Sequence, residues 1–155
     1  MYSKSIRKVL TAVDYSEKSL KAAEFALMIA KNMNSSLVIV NVLQTQPWLY
    51  GKHAYEWGSE DELDIAYHKE KERIEQVLNN IRKNAEESSV TAKTEVLMTA
   101  QTNSIASTIV EFAENEKVDL IVVGTRGASG VKRMLLGSVA SGVVTYAHCP
   151  VLVVK

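Results

Sequence analysis

The chain has 155 residues, of which 18 are basic, 18 acidic and 46% apolar, with a formal net charge of zero. That size allows one domain with a real core, and the charge balance gives no bulk attraction to nucleic acid or to an anionic membrane. No apolar run approaches a membrane span, the opening MYSKSIRKVL lacks a signal-peptide core, and a lone cysteine, Cys149, excludes an internal disulfide, so a single cytoplasmic domain over residues 1–155 is expected.

Lys8 to Val13 is a short apolar run closed by Asp14, as expected of a strand buried on both faces. Ser16 is placed to cap a helix from Glu17 to Asn32, with Leu20, Ala23, Leu27 and Ala30 as its core-facing stripe. Asn34 ends it, because asparagine tolerates the left-handed conformation. Ser36 to Val42 is a second strand with almost no polar alternation, which suits a parallel sheet covered on both sides. Leu43 to Ser59 has no period and carries Pro47, Trp48, Tyr50, His53, Tyr55 and Trp57. Such a loop is either a lid or a segment that packs its own rings against the body, the second being the plainer reading. His53 and His68 show no ligand-like pairing, so no metal site is expected there.

Glu60 to Glu87 reads as a long charged helix with Leu63, Ala66, Ile74, Val77, Leu78 and Ile81 on its apolar face. Thr91 to Leu97 alternates more, with Lys93 and Glu95 on one side, which fits an edge strand. A polar turn over Met98 to Thr102 leads to a helix capped by Asn103 or Ser104, whose stripe is Ile105, Ile109, Phe112 and Ala113. Asp119 to Val123 is a fourth strand. A last helix runs to about Tyr146, Cys149 fills space near its end, and Val151 to Val154 is a fifth strand.

Strands and helices therefore alternate throughout, which defines a doubly wound α/β sheet. Ligands of such sheets sit beyond the strand C-termini, where the strand order reverses. Strand one ends at Asp14 and strand four at Gly124, and as neighbours they would line one crevice. Five of the seven glycines lie between Gly124 and Gly142. The layout of strand, glycine-rich loop and helix N-terminus suits an anion, with Arg126, Lys132 and Arg133 adding positive charge. The same residues also describe an ordinary flexible loop with a serine cap. Asp14 is either an acceptor for sugar hydroxyls or a turn residue before Ser16. A Rossmann fingerprint is absent, because the first strand-to-helix turn, Asp14-Tyr-Ser16, has no glycine; a P-loop is absent, because no lysine stands beside Gly137-Ser138.

Gly124-Thr-Arg-Gly127, the nine residues Ala128 to Leu136, and Gly137-Ser138 match at every fixed position the glycine pattern of the ATP-binding branch of the universal stress protein family. The opening Val9 to Asp14 and the closing Val151 to Lys155 also resemble that family, so the resemblance spans essentially the whole chain. It implies a five-stranded parallel sheet of order 3-2-1-4-5 with helices on both faces, a Rossmann-like three-layer sandwich. It implies ATP with Mg2+ between strands one and four. By position, Asp14 and Gly124 would face the ribose, while Ala12, Val13 and the Val42 backbone would surround the adenine. Gly127, Gly137, Ser138 and Val139 would hold the phosphates through backbone N–H groups, with Arg126 beside them. A homodimer through the edge strand Val151–Val154 is implied too. Two positions depart from the common pattern: Ala12 where many members have proline, and Thr99 to Ser104 where many have a Gly-x-Pro turn.

Fast hydrolysis needs a group that positions water at the terminal phosphate. No obvious candidate is present, since Asp14 belongs at the ribose. The expected function is therefore a nucleotide-binding regulatory protein of the stress response. The alternatives are a dimeric interaction module in which nucleotide only tunes stability, and a slow ATPase.

Overall fold

A computed structural model describes residues 5–44, 60–99, 103–126 and 136–155, without the side chains of residues 60–63. Its elements in chain order are β1 (Lys8–Ala12), α1 (Glu17–Met33), β2 (Ser36–Gln44), α2 (Glu60–Glu87), β3 (Ala92–Thr99), α3 (Ile105–Asn115), β4 (Leu120–Gly124), α4 (Ser138–Tyr146) and β5 (Val151–Val154). The five strands form one sheet of order β3-β2-β1-β4-β5, and every pairing is parallel. The alternating β and α order of the sequence thus resolves into the expected sheet. The two edges are β3 and β5.

Alternation along the strands divides the core. Val9, Leu37, Ile39 and Val122 face one layer with Ala22, Ala23, Ala26 and Ala30 of α1 and Ile74 and Leu78 of α2. Leu10, Val38, Val40 and Ile121 face the other with Ala106, Ile109 and Ala113 of α3 and Ala140 and Val143 of α4. Both faces are covered by helices, which explains why the central strands read as continuous apolar runs.

The caps follow local chemistry. The Ser16 hydroxyl accepts from the Ser19 N–H at 3.1 Å, and Asn34 takes the left-handed conformation at φ 53°. Ser104 caps α3 in the same way as Ser16 caps α1. The start of α4 differs from a serine-capped helix. Its cap is Gly137, which makes no side-chain bond, and Ser138 is the first helical residue.

Several expected boundaries and stripes shift. The face of α1 that is buried consists of Ser19, Ala22, Ala23, Ala26 and Ala30, and Leu20 is 38% exposed. Alanines win this face because α1 lies close over β1 and β4, and larger side chains flank the contact. Ala66 is exposed on α2. Leu43 and Gln44 extend β2, while Met98 and Thr99 belong to β3 and not to a turn, because these residues pair with one another across the sheet. Residues 45–59, with the two tryptophans and His53, lie outside the described residues, as do residues 127–135.

At the opposite end of the sheet from the strand C-termini, Glu116 closes α3. Its Oε2 accepts from Lys93 Nζ at 2.7 Å and from Lys8 Nζ at 3.1 Å. Lys8 also donates to the Glu116 carbonyl at 2.8 Å. Those two ammonium groups, Lys93 first, hold the carboxyl below its ordinary pKa. A carboxylate with a lowered folded-state pKa stabilises above its unfolded value, and the gain disappears as pH falls through the folded value. Glu116→Gln should therefore cost on the order of 0.5–1 kcal/mol near neutral pH. The difference in Tm from the wild-type chain should close as pH falls through and below the carboxylate range; a constant difference across that range contradicts the assignment.

Candidate functional site

The site arises from an offset between two neighbouring strands. β1 pairs with β2 only as far as Ala12, opposite Val40. β2 runs on to Gln44, held on its other side by β3 up to Thr99. One further bond, from the Val13 N–H to the Val40 carbonyl at 2.8 Å, ends the β1–β2 ladder. Backbone groups of a strand alternate in direction, so the N–H and C=O of Val42 point the same way as those of Val40. They face the space that opens where β1 has ended.

Around that space lies a crevice lined by Ala12, Val13, Asp14, Val42, Gly124, Arg126 and Val139. These are seven of the ten residues expected from the sequence. Ser19, Asn41, Ile105, Ile109, Val123 and Ala140 complete the lining. Gly137 and Ser138 stand at the start of α4, beside Val139 but outside the lining. Gly127 lies beyond the described residues.

Asp14 follows β1 directly. Its Oδ1 accepts from the Ser16 N–H at 3.1 Å and from the Ser16 hydroxyl at 2.5 Å, and its own N–H donates to Ser19 Oγ at 3.1 Å. Both readings of this residue thus meet in one place: Asp14 organises the turn into α1 and its carboxylate lines the crevice. The next residue, Tyr15, is left-handed at φ 67°, a conformation that costs a non-glycine residue roughly 1–2 kcal/mol. Its ring packs against the α1/α2 core layer, and the Arg73 guanidinium of α2 lies 5.0 Å from the ring centroid. Burial and the Glu70 carboxylate raise the Tyr15 pKa, with Arg73 opposing. The turn at the crevice is therefore clamped from the α2 side.

β4 supplies the opposite wall. Gly124 is glycine because of a close approach: a Cβ there would stand 2.8 Å from the backbone carbon and oxygen of Lys18, in the first turn of α1. Thr125 is buried and joins three elements. Its N–H donates to the Val154 carbonyl at 2.9 Å, and its carbonyl accepts from the Gly137 N–H at 2.7 Å. The Gly137 amide, expected to hold phosphate, is thus engaged in anchoring the start of α4. The amides of Ser138 and Val139 remain in the first turn, where a helix offers its own N–H groups no acceptor. On the α3/α4 side, a Cβ at Gly142 would meet Ala106 Cβ at 2.6 Å. That contact brings together the helices that carry Ile105, Ile109, Val139 and Ala140.

Asn41 was not expected at the site. It interrupts the apolar run of β2, is 5% exposed, and donates from Nδ2 to the Val13 carbonyl at 2.6 Å. Its Oδ1 is buried without a hydrogen-bond partner. Leaving an acceptor so placed costs about 1–3 kcal/mol, against about 0.5–1.5 kcal/mol gained from a typical hydrogen bond. The single polar residue in Leu37-Val-Ile-Val-Asn-Val42 was the available signal. Ile105 and Ile109 were legible only as core. They line the site because α3 packs over the end of the sheet.

A parallel sheet of this order, opened at its reversal point between a carboxylate-bearing turn and a helix N-terminus, defines the ligand-binding class of doubly wound α/β proteins. Within that class the chain belongs to the universal stress protein family, whose profile matches residues 5–155. Universal stress protein MJ0531 of Methanocaldococcus jannaschii is 40% identical over 149 residues, which cover 96% of this chain and 82% of that one. Among solved structures, hypothetical protein MJ0577 superposes with a TM-score of 0.75 at 27% identity, over 97% of this chain and 96% of that one. A universal stress protein solved in complex with cAMP has a TM-score of 0.67 at 24% identity, over 98% of both chains.

The approach at Gly124 gives a direct test. Gly124→Val should lower stability by about 1–3 kcal/mol through overpacking against α1, measured by urea unfolding. An unchanged midpoint contradicts the tight seating of β4 on Lys18.

Proposed function

We propose that the crevice binds an adenine nucleotide, ATP with its Mg2+ foremost, and that the chain is a cytoplasmic nucleotide-binding regulatory protein of the stress response and not an efficient enzyme. The observation that carries this reading is the early end of β1, which turns the Val42 N–H and C=O toward a crevice with aliphatic walls. One donor and one acceptor at fixed spacing match the edge of adenine, where an amino group stands beside a ring nitrogen. Val42, Ile105, Ile109 and Val139 suit the faces of a flat ring.

In this reading Ala12 and Val13 border the base, and Asp14 accepts from the ribose hydroxyls near Gly124. The phosphates run toward the α4 N-terminus, where Ser138 and Val139 offer amides and the helix dipole favours negative charge. Arg126 and Gly127 complete that end. Gly137 serves by shaping the cap. The Mg2+ would neutralise phosphate charge and travel with the nucleotide, because the described residues contain no cluster of three His, Cys, Asp or Glu side chains able to hold it. Among the described lining residues only Asp14 and Arg126 are ionisable. With Asp14 committed to the turn and the ribose, neither is suited to position water for hydrolysis. The relative solved with cAMP accords with an adenine ligand on this fold.

A second observation favours a homodimer. β5 is an edge strand whose Val151, Leu152 and Val153 are only half-buried, and apolar edges invite pairing with another chain. Nucleotide binding and such an interface are compatible; the interface alone would make the chain an interaction module.

Calorimetry with ATP, adenosine and buffer tests the first reading. Asp14→Ala should weaken both ligands by roughly tenfold to a hundredfold, the loss of one or two hydrogen bonds to a charged group. Saturating ATP at about 100 times its dissociation constant should stabilise the chain by roughly 2.7 kcal/mol. No heat and no thermal shift with any adenine nucleotide would leave the interaction module. For the dimer, Leu152→Lys should give a monomer by analytical ultracentrifugation while the far-ultraviolet spectrum stays unchanged; an unaltered sedimentation coefficient removes β5 from the interface.

A further inference from the structure

We infer that Asn41 is the positioning residue of the crevice: its side-chain amide, by holding the Val13 carbonyl, sets where β1 leaves the sheet and so where Asp14 stands. The inference rests on the nucleotide reading, but it concerns a residue which that reading does not use. Val13 is gripped on both sides of its peptide plane system by β2, through its N–H on the Val40 carbonyl at 2.8 Å and through its carbonyl on Asn41 Nδ2 at 2.6 Å. The first bond belongs to the ladder. The second is made by a side chain, at the point where the ladder has run out.

The direction of Asn41 supports a role through Val13. Along β2, Leu37 and Ile39 face the α1/α2 layer, whereas Val38, Val40 and Val42 face the α3/α4 layer. Alternation puts the Asn41 side chain with Leu37 and Ile39. Ile105, Ile109 and Val139 approach the crevice from the other side. The amide therefore braces the crevice from beneath the sheet.

Stability alone does not account for an asparagine here. Its neighbours Ile39 and Val40 are fully buried aliphatics, and its Oδ1 has no partner, so the one bond it makes is offset by an unpaired acceptor that an aliphatic such as valine would not carry. What a valine cannot do is hold the Val13 carbonyl. That bond gives the chain a defined exit from β1, into the Asp14–Ser16–Ser19 hydrogen bonds and the left-handed Tyr15. A crevice that is set before the ligand arrives binds with less ordering cost.

The test uses the full chain and two variants. Asn41→Val should speed amide hydrogen exchange at Val13 and Asp14 and weaken ATP and adenosine by about tenfold. Asn41→Asp, when ionised, should weaken both ligands as the valine variant does and also lower Tm, because a buried carboxylate then faces the Val13 carbonyl. As pH falls through the carboxyl pKa, which burial raises, its protonated O–H can donate to the Val13 carbonyl, and its affinity relative to wild type at the same pH should recover. If Asn41→Val loses stability while exchange at Val13 and Asp14 and nucleotide affinity stay as in wild type, Asn41 is structural and the inference is overturned, with the nucleotide reading intact. If the wild-type chain binds no adenine nucleotide, both fall together.

Discussion

The structure depends on one mismatch in length. β1 stops while β2, between its two neighbours, continues for four residues from Asn41 to Gln44. In a parallel sheet every interior strand must satisfy its N–H and C=O groups on both sides. Where one neighbour ends early, the groups of the longer strand face open space. The sheet thereby exposes ordered backbone polarity to a crevice whose side walls include Ile105, Ile109 and Val139. β3 makes this possible by holding the far side of β2 out to Thr99, so the extended end stays straight.

Small residues decide how closely the helices approach that opening. Alanines on α1 allow it to lie low over β1 and β4, and Gly124 lets the end of β4 meet the first turn of α1. Gly142 against Ala106 does the same between α3 and α4. Each contact lies within a few residues of the crevice lining. Packing density and site shape are therefore set by the same side chains, and substitutions that enlarge them act on both. Thr125 has a related part on the backbone. By bonding both Val154 and Gly137 it ties the start of α4 to the edge strand, so the first-turn amides of α4 have a fixed place relative to the sheet.

The polar elements at the crevice share a trait: each serves the fold at a place where the proposed nucleotide site also needs it. Asp14 caps its own turn through Ser16 while lining the crevice. Gly137 donates to the Thr125 carbonyl, so the amide expected to hold phosphate already fixes the start of α4. Asn41 braces Val13 but keeps a buried acceptor without a partner. In a small domain, few positions stand near the ends of the central strands, and the same residues carry both duties.

The sequence by itself determined the alternation of strands and helices, the caps at Ser16 and Asn34, and the edge character of β3, because these rest on local hydrogen bonding and on periodicity; it left the cap of α3 open between Asn103 and Ser104. It also carried the glycine pattern and Asp14, which drew attention to the ends of strands one and four, where the structure has a crevice. It placed Ala23 and Ala30 on the buried face of α1 correctly but Leu20 wrongly, because leucine and alanine at similar spacing do not reveal which flank meets a closely packed sheet. It could not show the engagement of the Gly137 amide by Thr125, the part of Ile105 and Ile109 in the crevice, or the hold of Asn41 on Val13. Those are contacts between residues far apart in the chain, and only the tertiary structure decided them, since they depend on how far each strand runs beside its neighbour.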